Sequence, residues 1–238
     1  FITVVEDISS RKEAEAERAQ LAAIVESSDD AIISTTLDRK LLTWNAAAER
    51  MFGYTAAEVM GRVVSFLIPP EWEAEAAERR KLMDPGQPVA AYDTVRVAKD
   101  GRRLDVSVTQ SPIKDSSGRL IGVSLVFRDI AERKQAEERY RATFDNAPLG
   151  IMHTAIHDDR ILHVNPQLCE MVGYSPDELR GMATDDLLHP EHRGRDRGKY
   201  REQMLRGEIN SFSSERVLVR KDGSAIWATR TVSLVRDA

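Results

Sequence analysis

The stretch GYTAAEVMG at residues 53–61 recurs as GYSPDELRG at residues 173–181, a displacement of 120 positions from 53 to 173. The preceding segments match at the same displacement, because LLTWN at 41–45 corresponds to ILHVN at 161–165. A period of this length is too long for the unit of a solenoid and is typical of two copies of one domain. The sequence therefore predicts a tandem repeat.

Each copy shows the pattern of an α+β domain. A polar Asn precedes the first helix and a Gly follows it, as expected for an N-cap and a left-handed C-cap. Further along, alternating apolar and polar residues predict strands with one buried face, joined by a Lys-Asp-Gly hairpin turn. The capping residues are Asn45 with Gly53 and Asn165 with Gly173, and the turns lie at 99–101 and 221–223.

Taken together, these motifs resemble PAS domains. The resemblance rests on the order of elements, the capping Asn, the Gly-Tyr-[Thr/Ser]-x-x-Glu-[Val/Leu]-x-Gly run, the Lys-Asp-Gly turn and a closing Asp-Ile-x-x-Arg-Lys. It implies two five-stranded antiparallel sheets, each with helices on one face, a central cavity and the spatial strand order second, first, fifth, fourth, third. The motif residues that we expect to be structural are Asn45, Gly53, Gly61, Asp129, Asn165, Gly173, Gly181 and Asp7.

The resemblance also divides the chain. We expect residues 1–8 to be the last strand of a further PAS domain lying upstream, and residues 27–130 to be the first complete copy. Residues 146–238 form the second copy. Two charged, alanine-rich segments without proline, 9–26 and 131–145, are predicted to be amphipathic helical linkers.

The second copy is predicted to lack its last strand. Alignment on the Lys-Asp-Gly turns places its end just after the fourth strand, so the sheet has a gap in its middle. We expect this gap to loosen the second domain, because unpaired backbone groups destabilise a sheet. Residues 1–8 resemble the missing strand and are an alternative filling for the gap.

Candidate cavity residues follow from strand faces and from the resemblance. Leu104, Val106 and Val108 share one face of a predicted strand, and Ile226 with Ala228 occupies the matching face of the second copy. Arg230 shares that face; it either reaches solvent at the strand end or contacts an anionic ligand in the second cavity. The full candidate set is Ile32, Leu104, Val106, Val108, Met152, Ile226, Ala228 and Arg230.

The linker helices are the candidate dimer contact. Ala136, Tyr140 and Phe144 recur four residues apart and form one stripe. The stripe either packs against its own domain or forms a coiled-coil seam with a second chain, and the two interpretations are compatible. We expect a homodimer through the helical linkers.

Composition limits the possible partners. The 34 basic and 39 acidic residues give a net charge of −5, which disfavours binding to nucleic acid. The single cysteine, Cys169, excludes a disulfide framework, and no apolar run reaches the ~18 residues of a membrane span. We therefore expect a cytoplasmic location without membrane contact for these residues. The apolar start at Phe1 suggests a piece of a longer protein.

Redox-cofactor and metal sites receive little support from the sequence. All five histidines lie in the second copy, so the first copy has no histidine for a haem. His189 and His192 flank a predicted helix entry without a third ligand at suitable spacing. Cys169 lies on the first helix of its copy and is expected to be a small packed side chain. We assign no metal and no confident cofactor, and leave an unknown small ligand possible.

The sequence thus predicts a sensory and dimerisation module of a multi-PAS signalling protein, either a sensor histidine kinase or a diguanylate cyclase or phosphodiesterase. The module senses a small ligand or relays a signal through its helical linkers to a downstream output domain. A haem- or flavin-binding redox or gas sensor is the alternative. We expect no catalysis by these residues, because they contain no Gly-rich phosphate loop and no nucleophile elbow.

Overall fold

A computed structural model describes residues 9–82, 87, 89–194 and 199–235. The chain divides into two units between Gln135 and Ala136, which we call unit 1 and unit 2. The division falls inside a continuous helix, Ala131–Asp145, so that this helix begins in unit 1 and ends in unit 2.

Unit 1 follows the predicted order of helices and strands. A long helix precedes two short strands, several short helices follow, and three long strands complete the sheet. The elements are α1 (Ser9–Glu26), β1 (Ala31–Thr36), β2 (Leu41–Trp44), α2 (Ala46–Phe52), α3 (Ala56–Val59), 3₁₀ turns at Val64–Leu67 and Pro70–Trp72, α4 (Glu73–Leu82), β3 (Val89–Val97), β4 (Arg103–Lys114), β5 (Leu120–Asp129) and α5 (Ala131–Asp145).

The five strands of unit 1 form one antiparallel sheet in the order β2-β1-β5-β4-β3. This is the predicted spatial order, and the prediction of a five-stranded sheet is confirmed. The last strand, β5, lies in the middle and pairs with both β1 and β4.

The core of unit 1 lies between the helices and one face of this sheet. Ile33, Phe52 and Phe127 are at most 2% exposed, and the Phe52 and Phe127 rings meet edge to face with centroids 5.3 Å apart. Such pairs add to the free energy of apolar burial. The helices are therefore held to the sheet by aromatic packing.

Unit 2 repeats the short strands and helices of unit 1. Its described elements are β6 (Met152–Thr154), β7 (Ile161–Val164), α6 (Pro166–Val172), α7 (Pro176–Leu179), 3₁₀ turns at Thr184–Leu187 and Pro190–His192, α8 (Lys199–Leu205), β8 (Ser211–Val219) and β9 (Ala225–Ser233). Its core contains Ile161, Leu168, Val172, Leu179 and Leu218.

The sheet of unit 2 is interrupted where the sequence predicts a missing strand. Among the described residues, β6 pairs with β7 and β8 pairs with β9, in two separate antiparallel pairs. In unit 1 the equivalents of β6 and β9 are β1 and β4, and β5 lies between them. This arrangement fits a second copy without its last strand. Residues 1–8, including Asp7, lie outside the described residues.

Candidate functional site

A cavity of about 430 Å³ lies in unit 1, a volume within the range of about 300–1,000 Å³ that is usual for ligand pockets. It lies against the inner face of the sheet and is bordered by the turn after β1 and by the segment from Val64 to α4. The lining residues are Thr35, Thr36, Leu37, Arg39, Val64, Leu67, Ile68, Trp72, Ala76, Tyr92, Thr94, Arg96, Gln110, Leu120, Val123, Leu125 and Phe127.

One wall of this cavity is polar. Arg96 on β3 is only 7% exposed, and its guanidinium donates to Thr94 Oγ1 at 3.1 Å and to the Val95 carbonyl at 2.8 Å. The Gln110 amide donates to the Tyr92 hydroxyl at 3.2 Å. These side chains project from β3 and β4, so the sheet itself positions the polar groups.

The rest of the cavity wall is largely apolar. Val123, Leu125 and Phe127 alternate along β5 and present one strand face to the cavity, because successive strand residues point to opposite sides. Trp72 and Ala76 contribute from the 3₁₀ turn and α4. An apolar enclosure with a few polar groups is the usual composition of a small-molecule site.

The four candidate cavity residues of unit 1 lie elsewhere. Val106 and Val108 are fully buried in the packed core, and Leu104 packs against it. The cavity touches β4 further along, at Gln110, on the same strand face as Val106 and Val108. Ile32 is half-buried beside the fully buried Ile33, which carries the core-facing position of β1.

The candidate residues of unit 2 share the inner face of its strands. Ile226 and Ala228 alternate on β9, and Met152 extends from β6; all three pack against the core of unit 2. Arg230 is half-buried on the same face of β9, with its guanidinium carbon 5.9 Å from the Phe212 ring centroid. Binding of a ligand by these residues stays a prediction.

The two capping asparagines have a wider role than the sequence indicates. Asn45 Oδ1 accepts from the Ala48 N–H, as predicted for an N-cap, and from the Ile32 N–H. Its amide donates to the Val25 and Asp30 carbonyls. The side chain therefore joins the end of α1, the following loop, β1 and α2 in one buried junction.

Asn165 forms the same junction in unit 2. Its Oδ1 accepts from the Leu168 and Ile151 N–H groups, and its amide donates to the carbonyls of Phe144 and Leu149. Both asparagines are at most 1% exposed. The end of each helical linker is thus tied to the domain that follows it.

The repeated Gly-Tyr run and the Lys-Asp-Gly turn contact each other. In unit 1 the Glu58 carboxylate accepts from the Thr55 N–H and pairs with Lys99, and the Lys99 N–H donates to the Phe52 carbonyl. The Lys99 ammonium, with the Thr55 N–H second, lowers the pKa of Glu58 from 4.5 to about 2. Gly53, with φ +74°, is the left-handed C-cap of α2 and the first residue of the Gly-Tyr run.

Unit 2 repeats this contact. Glu178 pairs with Lys221 at 2.5 Å, and this pairing with the Ser175 N–H lowers the pKa of Glu178. Gly61, Gly173 and Gly181 all have positive φ values. The motif glycines and glutamates therefore hold the short helices against the hairpin turn, so their role is structural.

The start of α5 is fixed to the sheet of unit 1. Asp129 accepts from the Ala131 N–H at 2.8 Å, and Asp105 on β4 binds Lys134 at 2.5 Å and accepts from the Ile130 N–H through its carbonyl. Arg133 reaches Asp93 on β3 at 2.5 Å.

The cysteine and two of the histidines of unit 2 have defined surroundings. Burial raises the pKa of the half-buried Cys169 thiol, which makes it a poor nucleophile. His192 lies beside Trp227, and His153 beside Phe144. Within the described part of the chain, no group of three or more His, Cys, Asp or Glu residues is arranged to hold a metal ion. No helix there is both long and apolar enough to cross a membrane.

The fold and the cavity define a class of small α+β domain in which a five-stranded antiparallel sheet encloses a ligand-sized space. Two family models described as the PAS fold match the chain in tandem, at residues 19–130 and 161–238. The chain belongs to the PAS family and carries two copies of its fold, so the predicted resemblance is confirmed.

Among curated proteins, the probable diguanylate cyclase DgcE of Escherichia coli is 34% identical over 44% of this chain and 10% of its own length. The histidine-protein kinase AtoS of the same organism is 27% identical over 71% of this chain and 26% of its own length. The chain therefore spans about a quarter or less of these relatives. A solved PAS domain from Colwellia psychrerythraea has a TM-score of 0.44 and 24% identity, covering 49% of this chain and 99% of that one.

Proposed function

We propose that this chain is a sensory and dimerisation module of a larger signalling protein, in which a small ligand bound in unit 1 alters the linker helix α5. Its relatives include a signal-transduction kinase and a probable diguanylate cyclase, and the family models match PAS domains. The module itself senses, and an output domain elsewhere in the parent protein performs the catalysis.

One observation carries this proposal: β3 bears cavity side chains and a helix anchor on opposite faces. Tyr92 and Thr94 line the cavity, while Asp93 between them binds Arg133 in the first turn of α5. Alternate residues of a strand face opposite ways, so Asp93 faces away from the cavity. Because it shares the backbone of β3 with Tyr92 and Thr94, a ligand that shifts β3 also shifts Asp93. The effect of the ligand on α5 is then a change in the free energy of these anchoring contacts.

Two naphthalene probes test whether the cavity is open to ligands. N-phenyl-1-naphthylamine is neutral, and 8-anilinonaphthalene-1-sulfonate carries the same rings with one negative charge. The fluorescence of both increases in an apolar site. We expect at least one to bind, and expect Ala76→Phe, which fills the cavity from α4, to abolish that binding.

Hydrogen exchange then tests the relay. With a bound probe, the amides of residues 131–145 should exchange at a changed rate. In the double variant Asp93→Asn and Lys134→Gln, which cuts the two anchors, the probe should still bind and the change in α5 should be lost. Binding with unchanged α5 exchange in the wild-type chain would overturn the proposed relay, and absence of binding by either probe would overturn the ligand site.

A further inference from the structure

Two histidines of unit 2 lie directly opposite each other on neighbouring strands. His153 on β6 pairs with His163 on β7, and their rings are perpendicular with centroids 6.4 Å apart. The pairing of the strands thus brings together two imidazoles that are separated in the sequence. We propose that these two residues, which we call the histidine pair, bind a divalent transition-metal ion, with Cu²⁺ bound most tightly.

The histidine pair lies on the strand face that points away from the core of unit 2. Met152 and Val164, which precede and follow the two histidines in the chain, pack against that core, and successive strand residues point to opposite faces. His163 is exposed and His153 is half-buried. An ion therefore reaches the pair from solvent without a rearrangement of the core.

The spacing of the pair suits chelation. Side chains directly opposite each other on antiparallel strands have Cβ atoms about 4.5–5.5 Å apart. An imidazole nitrogen binds Zn²⁺ at about 2.0–2.1 Å, so two rings on one ion approach a common point. Rotation of the exposed His163 side chain brings its ring nearer to that of His153 than the present 6.4 Å.

The type of ligand selects the class of ion. Imidazole is a suitable ligand for copper, nickel and zinc, whereas Mg²⁺ and Ca²⁺ prefer oxygen ligands. Among the divalent ions of the first transition row, Cu²⁺ binds most tightly to a given site of this kind. Two protein ligands leave the other coordination positions to water, so the proposed site is an open one.

Unit 1 carries a different pair at the matching positions. Thr43, two residues before the capping Asn of unit 1, pairs with Ser34, and the two hydroxyls share a hydrogen bond of 2.7 Å. His163 also lies two residues before the capping Asn of its unit and pairs with His153. The fold therefore does not require histidine at either position, and unit 1 supplies the residues for a control variant.

The histidine pair also contacts the linker helix α5. The Tyr140 hydroxyl lies 3.3 Å from His153 Nε2 and 3.4 Å from His153 Nδ1, and the Phe144 ring centroid is 5.3 Å from that of His153. A metal-bound imidazole donates its second N–H to a nearby oxygen, which orients the ring. The Tyr140 hydroxyl is an oxygen within reach, so an ion bound here fixes the contact between α5 and β6.

Calorimetric titration of the full chain with Cu²⁺ alone tests the site. Linkage of two ligands raises affinity by roughly 10²–10⁴ over that of one ligand. His153→Ser and His163→Thr should therefore each raise the dissociation constant by about 100-fold or more. The double variant, which carries the pair of unit 1, should lose little further affinity, because either single change already removes the chelate.

His189→Gln is the matched control. The rings of His189 and His192 are also close, with centroids 6.5 Å apart, but this variant should leave the affinity unchanged. Cu²⁺ is paramagnetic, so in the wild-type chain it should broaden the amide signals of residues 152–154 and 161–164, and in the double variant it should not. Melting curves without metal show that the variants fold. His163 is exposed, so His163→Thr keeps the test decisive if a change at His153 unfolds unit 2.

Three results would overturn the proposal. The first is equal affinity for Cu²⁺ in the wild-type chain and in His163→Thr. The second is a loss in His189→Gln as large as that in His163→Thr, which would indicate binding by unconnected histidines. The third is broadening confined to signals outside the two segments that carry the histidine pair.

Discussion

Asn45 connects more parts of unit 1 than any single local pattern indicates. Its buried amide makes four hydrogen bonds, to Ala48, Ile32, Val25 and Asp30. Two of these bonds are accepted by backbone carbonyls, that of Val25 at the end of α1 and that of Asp30 in the following loop. The cap could be predicted, because a side-chain acceptor before a helix is a local feature. The other bonds join segments up to 20 residues away and depend on how the chain folds back.

We expect Asn45→Ala to lower the free energy of unfolding of unit 1 by about 2–4 kcal/mol, since it removes the cap and leaves buried groups without their partner. Urea unfolding followed by tryptophan fluorescence measures this, because Trp44 is buried in the unit 1 core. Asn146→Ala is the control: that amide donates to one helix carbonyl at an exposed position and should cost less than about 1 kcal/mol. A loss that is equally small in Asn45→Ala would contradict the junction.

Glu58 makes the stability of unit 1 depend on pH in a defined window. Its pKa falls from 4.5 to about 2 in the folded chain, mainly through Lys99. A lowered folded-state pKa stabilises the fold above pH 4.5, and this contribution is lost as the pH falls from about 4.5 to about 2. The wild-type chain should therefore melt at a higher temperature than Glu58→Gln at pH 7, and the two melting temperatures should converge near pH 2. Glu170→Gln, an exposed position on α6, serves as the control; parallel melting curves for wild type and Glu58→Gln across this range would disprove the linkage.

At the scale of single elements, α1 is a helix whose described side chains face solvent. Its described side chains from Glu15 to Glu26 are all exposed, including Leu21 at 58% and Ile24 at 59%. An isolated helix of 18 residues is only marginally stable in water. A second copy of the chain is the partner that we propose for this face, in keeping with the predicted homodimer.

We expect Leu21→Glu to raise the dissociation constant of the dimer by at least about tenfold, because burial of one leucine contributes roughly 1.5–3 kcal/mol. Sedimentation equilibrium measures the change. Leu205→Glu is a matched control, since Leu205 is a helical leucine of unit 2 that is 50% exposed. Unchanged association in Leu21→Glu would mean that α1 takes no part in the dimer, and equal weakening in both variants would indicate a nonspecific charge effect.

The stripe on α5 shows what helical spacing leaves open. Tyr140 and Phe144 stack on each other with centroids 5.8 Å apart, and the Phe144 ring lies 5.3 Å from the His153 ring. The four-residue spacing predicted the stripe. Its neighbour on β6 could not be predicted, because it depends on tertiary packing. Tyr140 remains 53% exposed, so packing within unit 2 and contact with a second chain remain compatible.

At the scale of the whole molecule, the internal repeat predicted the fold better than the cavity. Strand alternation correctly placed Val106 and Val108 on the inner face, but the position of the cavity along that face depends on side chains from β1, β3, β4 and β5. On β1, Ile32 and Ile33 are both apolar, so alternation alone could not decide which faces the core. Arg96 was missed because an arginine in an apolar strand gives no signal for burial without its neighbours.

The gap in the sheet of unit 2 leads to a final prediction about its stability. In unit 1, β4 pairs along both edges, whereas its equivalent β9 pairs with β8 alone among the described residues. Alternate amides of β9 point away from β8. We expect these amides to exchange with solvent on the order of 100-fold faster than the equivalent amides of β4, because their opening costs less free energy.

Amide exchange followed by nuclear magnetic resonance provides the measurement, with β4 of the same chain as the internal reference. Deletion of residues 1–8 should leave β9 exchange unchanged if the edge is open. Protection of β9 equal to that of β4 would mean that another strand pairs with this edge. If the deletion then removed that protection, residues 1–8 would be that strand. If the deletion left the protection in place, a dependence of the protection on protein concentration would show that β9 pairs with a second copy of the chain. Either result would replace a loosened second domain with one completed by an added strand, and protection that depends on protein concentration would make the edge of β9 a second contact between chains beside α1.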